Sequence, residues 1–121
     1  MDSPKKFSDK SVIIGVDVGG TKIQAGAITP DGEIIGEPVT VDTLGYDASE
    51  IIFGRITGSI DEVIKNSDLK PAYIIGIGLG VTGPLDTENG IILECPQLPT
   101  MHFYPLLERV REKFQLPVFM D

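Results

Sequence analysis

An apolar run of strand length, residues 11–17, is interrupted by Asp17-Val18-Gly19-Gly20-Thr21-Lys22 and resumes over residues 21–29. Two strands separated by adjacent glycines fold back on each other as a hairpin, so the architecture must open with an antiparallel pair. Gly19 and Gly20 are expected to take backbone angles closed to other residues and to bring main-chain N–H groups close to an anion. Asp17 at the strand end is suited to a hydrated Mg²⁺, while the Thr21 hydroxyl and the Lys22 ammonium add a donor and a charge. An ordinary Gly-Gly turn needs none of this flanking chemistry. The segment therefore reads as a phosphate-binding hairpin.

The rest of the chain extends that opening. Pro30-Asp31-Gly32 is a turn signal, and residues 33–41 follow as a third strand with Ile34, Ile35 and Val39 as apolar members, completing an antiparallel meander. Asp47-Ala48-Ser49-Glu50 has the form of a capping box, and Ile52, Phe53, Ile56, Ile60, Val63 and Ile64 recur at helical spacing, predicting a helix over residues 49–66. Gly54 and Gly58 cost that helix ~1 kcal/mol each relative to alanine, which suggests a close-packed face or a weak middle. Residues 72–81 read as a buried central strand ending in Gly80-Val81-Thr82-Gly83-Pro84-Leu85-Asp86. Asn89-Gly90 is a second hairpin signal with Ile91-Ile92-Leu93 as its return strand. Pro105 is placed to open a second helix with Leu106, Leu107, Val110 and Phe114 inward and Arg111 and Lys113 outward, and Val118-Phe119-Met120 begins a last strand.

Composition removes several function classes. With 121 residues and 41% apolar content the chain can bury one core, and 18 acidic against 10 basic residues leave a net charge of −8. A nucleic-acid partner is not expected on that charge. One cysteine, Cys95, excludes an internal disulfide, no Cys/His set has metal-site spacing, and a reducing, cytoplasmic setting is expected. Residues 1–10 lack a signal-peptide core and read as an N-terminal arm; no run approaches a membrane span. Gly78-Leu79-Gly80-Val81-Thr82-Gly83 matches a dinucleotide fingerprint in spacing, but Pro84 and the Asn89-Gly90 turn follow where a helix must open. His102 has no nucleophile beside it in sequence and reads as a loop histidine, Cys95 as a small packed side chain, and Asp86 as a residue that fixes its loop.

The ordered set Gly15-Val16-Asp17-Val18-Gly19-Gly20-Thr21-Lys22, Gly76-Ile77-Gly78-Leu79-Gly80-Val81-Thr82-Gly83-Pro84-Leu85-Asp86, Gly90 and Pro96-Gln97-Leu98-Pro99 resembles the ROK family of sugar kinases and sugar-responsive repressors. The resemblance runs from Ser11 to the end. It implies an α/β chain of the actin-like ATPase, ribonuclease H-like fold: a mixed sheet with its first three strands antiparallel and helices on both faces. Residues 11–121 would be the N-terminal lobe of a longer, homo-oligomeric kinase. The resemblance makes Asp17, Gly19, Gly20, Thr21 and Lys22 the ATP-phosphate and Mg²⁺ loop, and Thr82, Gly83, Pro84 and Gln97 the sugar-facing wall. Its substrates would be MgATP and a sugar, with no nucleic acid or membrane as partner, and any structural zinc would belong to the part of the parent outside this chain.

Two positions depart from the family pattern: Thr82-Gly83-Pro84 stands where Pro-Gly-Pro is common, and Gln97 where Asn is common. Both bear on the identity of the sugar. Leu116-Pro117-Val118-Phe119-Met120-Asp121 resembles the approach to the family's Asn-Asp pair, whose Asp is the general base. Asp121, preceded by Met120, matches the position before that pair, so no catalytic residue is assigned and the 121 residues alone are expected to be inactive. The competing reading within the family is a sugar-responsive transcriptional regulator. About ten residues precede the first strand, too few for a helix-turn-helix module. A non-sugar kinase or chaperone of the wider actin-like superfamily would share the hairpin but would not explain Thr-Gly-Pro-Leu-Asp and Pro-Gln-Leu-Pro.

Overall fold

The computed structural model describes residues 11–121; the expected arm, residues 1–10, lies outside the described residues. Strands β1 (Val12–Val18) and β2 (Lys22–Ile28) form the predicted hairpin, with Val18 opposite Ile23 and Ile14 opposite Ala27, and β3 (Ile34–Asp42) runs antiparallel to β2. The β2–β3 register slips between Ala25 and Ala27. At this irregularity Gly36 has φ +69°, and a Cβ there would stand 2.1 Å from the Ser67 hydroxyl, so both backbone angle and space demand glycine. Strands β4 (Ile74–Val81) and β7 (Val118–Met120) add parallel to β1, giving a mixed sheet in the order β3-β2-β1-β4-β7.

Helix α1 (Ser49–Asn66) has the predicted bounds but not the predicted cap. Ala48 is its N-cap, and no side chain caps it. Asp47 is drawn instead to Arg55, and Glu50 to Arg109 and Tyr104, because a carboxylate gains more from a charged donor than from a neutral amide. Gly54 and Gly58 are exposed, with nothing within 4 Å of an added Cβ, so no close packing among the described residues explains them. Pro71 opens a 3-10 turn, Pro71–Tyr73, which takes the first residues of the predicted strand and starts β4 at Ile74. Pro105 precedes helix α2 (Leu106–Phe114) as its N-cap, one position earlier than expected, at φ −82° and ψ 69°. Between β4 and α2, strands β5 (Leu85–Asp86) and β6 (Ile91–Ile92) make the small predicted hairpin. Asp86 fixes it by accepting from the Asn89 amide (3.1 Å) and the Asn89 side chain (2.9 Å).

The two faces of the sheet have opposite fates. Val12, Ile14, Val16 and Val18 of β1, Ile77 and Leu79 of β4, and Val118 and Met120 of β7 are buried in one core with Ile52, Ile56, Ile60 and Val63 of α1 and Leu106 and Val110 of α2. Burying each large aliphatic side chain contributes ~2 kcal/mol, so this face carries the stability of the chain. On the other face Ile13, Asp17 and Phe119 are exposed around Gly15 and Gly78. Among the described residues both helices lie on the first face, since the crossover from β4 through α2 to β7 stays on the side where α1 already packs, and the second face has no helical layer. No helix among the described residues is long and apolar enough to cross a membrane.

Candidate functional site

The tip of the β1–β2 hairpin is held from both sides. The Val18 carbonyl accepts from the Thr82 amide (3.1 Å) and hydroxyl (3.4 Å), and the Gly19 carbonyl accepts from the Thr43 hydroxyl (2.7 Å). The Thr21 carbonyl accepts from the Thr43 amide (2.8 Å), and the Gly19 amide closes the turn on the Lys22 carbonyl (2.9 Å). With these carbonyls occupied, the amides of Gly20 and Thr21 are left without an acceptor among the described residues. Two unpaired N–H groups at a pinned turn are the donors an anion needs.

The glycines serve this tip for a different reason from the one expected. Neither Gly19 nor Gly20 has a positive φ. A Cβ on Gly20 would stand 2.5 Å from the Gln97 Cβ, and one on Gly19 would stand 3.2 Å from the Lys22 carbonyl oxygen. What the turn requires is room for Gln97 to press against the backbone, not an unusual backbone angle.

That close approach brings together part of the predicted set. Gly20, Thr21, Thr82 and Gln97 line one open cavity of about 410 Å³ with Tyr46 and Pro96, within the size range of small-ligand sites. Gly83 and Pro84, joined by a cis peptide bond, are exposed and do not line it; the Pro84 carbonyl accepts from the Leu93 amide (3.0 Å). Lys22 is paired with Asp42 at the end of β2, where its hydrogen bond and charge hold the Asp42 carboxyl below the usual carboxylate range. Both side chains are more than half exposed, so this pair is weak and leaves the ammonium available to a stronger anion. Asp17 projects to the open sheet face, in a second cavity of about 510 Å³ shared with Gly15, Gln24, Gly26, Ile34 and Gly78.

Asp17 has no hydrogen-bond or ion-pair partner among the described residues and is exposed. A free carboxylate of this kind fits a magnesium ion that brings waters and phosphate oxygens as its other ligands. No three His, Cys, Asp or Glu side chains converge among the described residues, and nothing here fits a zinc site. Cys95 is fully buried with its thiol 3.6 Å from Gln97 Oε1, and His102 is exposed beside the 3-10 turn Pro99–Met101. Asp121 continues the parallel ladder, donating its amide to Leu79 (2.8 Å) and accepting from the Val81 amide (3.0 Å).

The loop joining β3 to α1 escaped the sequence reading. Buried Thr43 clamps the hairpin, and Arg55 donates to the Thr43 carbonyl (2.7 Å) and pairs with Asp47. Thr100 donates to the Asp47 carbonyl (2.6 Å), tying the same loop to the segment after Gln97. Gly45 is wedged so tightly that a Cβ would stand 2.3 Å from the Gln97 carbonyl oxygen. The available signal was Thr43-Leu44-Gly45-Tyr46-Asp47 directly after a strand, a polar-glycine loop in the place where the capping box drew attention. Further out, Glu50 ties α1 to α2 through Arg109 (2.8 Å) and Tyr104 (2.9 Å). These bonds, Arg109 first, hold the Glu50 carboxyl below its ordinary range, while burial and the bond to Glu50 push the Tyr104 phenol up.

Comparison with known proteins places this geometry among relatives. A sequence model of the ROK family matches residues 13–121. A glucokinase from Thermotoga maritima is 38% identical over 112 residues, which are 93% of this chain and 33% of the relative. A xylose repressor from Caldicellulosiruptor bescii is 33% identical over 113 residues, again 93% of this chain and 28% of the relative. The crystal structure of a ROK family glucokinase from Streptomyces griseus with glucose and AMPPNP superposes with a TM-score of 0.77 at 28% identity, covering 92% of this chain and 33% of that one. The chain thus spans about a third of the length of these relatives, and its fold is that of the actin-like ATPases.

Proposed function

The chain belongs to the ROK family, and from that premise we propose that it forms the ATP-phosphate side and part of the sugar wall of a sugar kinase. The carrying observation is that Gly20 and Thr21, whose amides have no acceptor among the described residues, line the same cavity as Thr82 and Gln97. Phosphoryl transfer needs a phosphate and a hydroxyl held face to face, and here anion donors and hydroxyl-bonding side chains share one space. In this reading the hairpin amides and the Thr21 hydroxyl bind the terminal phosphates and Lys22 exchanges Asp42 for phosphate oxygens. Asp17, on the adjoining sheet face, would hold the hydrated Mg²⁺ that enters with ATP, and the ion would supply neutralisation of phosphate charge. Thr82 and Gln97, with the Gly83-Pro84 turn behind them, orient the sugar.

Titration of the isotope-labelled chain with a non-hydrolysable MgATP analogue tests this. The largest amide shifts are expected at Gly20 and Thr21; shifts confined to other segments would overturn the assignment. No proton acceptor for the sugar hydroxyl is assigned among these residues, so a coupled kinase assay on the 121-residue chain with a hexose panel is expected to show no turnover. The second reading, a sugar-responsive regulator, is favoured by the similarity to a xylose repressor. The free, complete hairpin argues for the kinase, since a sensor needs no phosphate donors. Sequence-specific DNA binding by the full-length protein would reverse that preference.

A further inference from the structure

Tyr46 is 83% exposed, yet it stands on a loop whose backbone is hydrogen-bonded on both sides of it. The Thr43 amide and hydroxyl, the Arg55 guanidinium and the Thr100 hydroxyl fix the backbone on either side of it, and the Asp47 amide closes a turn on the Leu44 carbonyl (2.9 Å). Leu44 is held at φ +52°, a conformation that costs a non-glycine residue ~1 kcal/mol and persists only where its surroundings enforce it. Tyr46 lines the same cavity as Gly20, Thr21, Thr82 and Gln97, and its hydroxyl has no partner among the described residues. With the backbone already braced, a ligand that binds the ring has only the two side-chain torsions of Tyr46 to order, not the loop. Thr21, Thr82 and Gln97 also line this cavity, so it offers an aromatic ring together with hydrogen-bonding side chains.

Resting on the sugar-kinase reading above, we propose that Tyr46 determines sugar specificity in this site: its ring forms the apolar wall against which one C–H face of a pyranose lies, while Thr82 and Gln97 address hydroxyls at the opposite rim. A tyrosine suits this place because its ring is apolar and its hydroxyl tolerates water. A sugar that presents an axial hydroxyl to the ring is disfavoured, because that hydroxyl is desolvated without a partner.

The test uses the 121-residue chain with glucose, mannose and xylose, read by amide shifts and by saturation transfer to the sugar protons, in the wild type, Tyr46→Phe and Tyr46→Ala. Wild type and Tyr46→Phe are expected to bind the same preferred sugar with similar affinity, with saturation transferred from the tyrosine ring to protons on one sugar face. Tyr46→Ala is expected to weaken that sugar about tenfold, ~1.4 kcal/mol, and to flatten the ranking, with thermal unfolding unchanged. Unchanged affinity and ranking in Tyr46→Ala, with sugar shifts still at Thr82 and Gln97, would overturn the role of Tyr46 alone. Absence of sugar shifts at Gly20, Thr82 and Gln97 in the wild type would overturn the sugar site and this inference with it. Ring contacts to the adenine of the MgATP analogue instead of a sugar would show the wall to belong to the nucleotide.

Discussion

Two cavities among the described residues, one at the hairpin tip and one on the open sheet face, are built on opposite principles. The one at the hairpin tip is small-grained and braced: Thr43, Thr82, Arg55 and Thr100 lock three segments together, and its glycines are places where backbone and side chain already touch. The one on the open sheet face is lined by Gly15, Gly26 and Gly78 with Ile28 and Ile34; an added Cβ at Gly26 or Gly78 would meet nothing within 4 Å, and one at Gly15 only the flexible end of Ile28 at 3.1 Å. Glycine thus has two meanings in one molecule. At the tip it records a contact already made, and on the open face it leaves a surface smooth.

That contrast can be broken by substitution. The largest effect is expected for Gly45→Ala, whose Cβ would stand 2.3 Å from a backbone oxygen that cannot swing aside. A loss of ~2 kcal/mol in denaturant unfolding is expected, together with loss of ligand-induced shifts at Gly20 and Thr21. A neutral Gly45→Ala would mean that the tip is not braced as described. Arg55→Ala should follow, at ~1.5 kcal/mol by the same measurement, because it strips the Thr43 carbonyl and Asp47 of a charged donor. Gly54→Ala, on the exposed side of α1, should stabilise by ~1 kcal/mol, since it meets nothing and removes unfolded-state freedom. Gly78→Ala on the open face should change stability by no more than ~0.5 kcal/mol; a cost like that of Gly45→Ala would erase the difference between the cavities.

The smallest expected effect is on pH dependence. The Glu50 carboxyl is held below its ordinary range in the folded chain, so its contribution is complete above that range and is lost as pH falls through the lowered folded value. Thermal unfolding of Glu50→Gln followed against pH should therefore show a flatter acid limb than the wild type. An unchanged acid limb would mean that the Arg109 and Tyr104 bonds to Glu50 add nothing to the tie between α1 and α2.

Much of the fold was legible because its signals are local. The Gly19-Gly20 interruption, the turn at Pro30-Asp31-Gly32 and the helical spacing from Ile52 to Val63 each act within a few residues, and β1, β2, β3 and α1 fall where they indicate. Gly20 and Thr21 are expected from the hairpin motif and Thr82 and Gln97 from the family resemblance, and the four line one cavity. The capping box failed because Arg55 and Arg109, one of them 59 positions from Glu50, compete for the carboxylates. Thr43, Gly45 and Tyr46 went unread because their importance lies in contacts with Gly19 and Gln97, which are distant in sequence.

By itself the sequence determined the strands, the hairpin and the residue types at its tip, since hydrophobic period and turn chemistry are set by neighbours along the chain. Only the tertiary structure decided that the tip's glycines give room to Gln97, that Thr43 and Thr82 occupy the inward carbonyls, and that Tyr46 stands over the resulting cavity. The reason is steric and electrostatic: an unpaired amide or a missing Cβ acquires meaning only from the atoms that come within a few ångströms, and here those atoms come from segments tens of residues away.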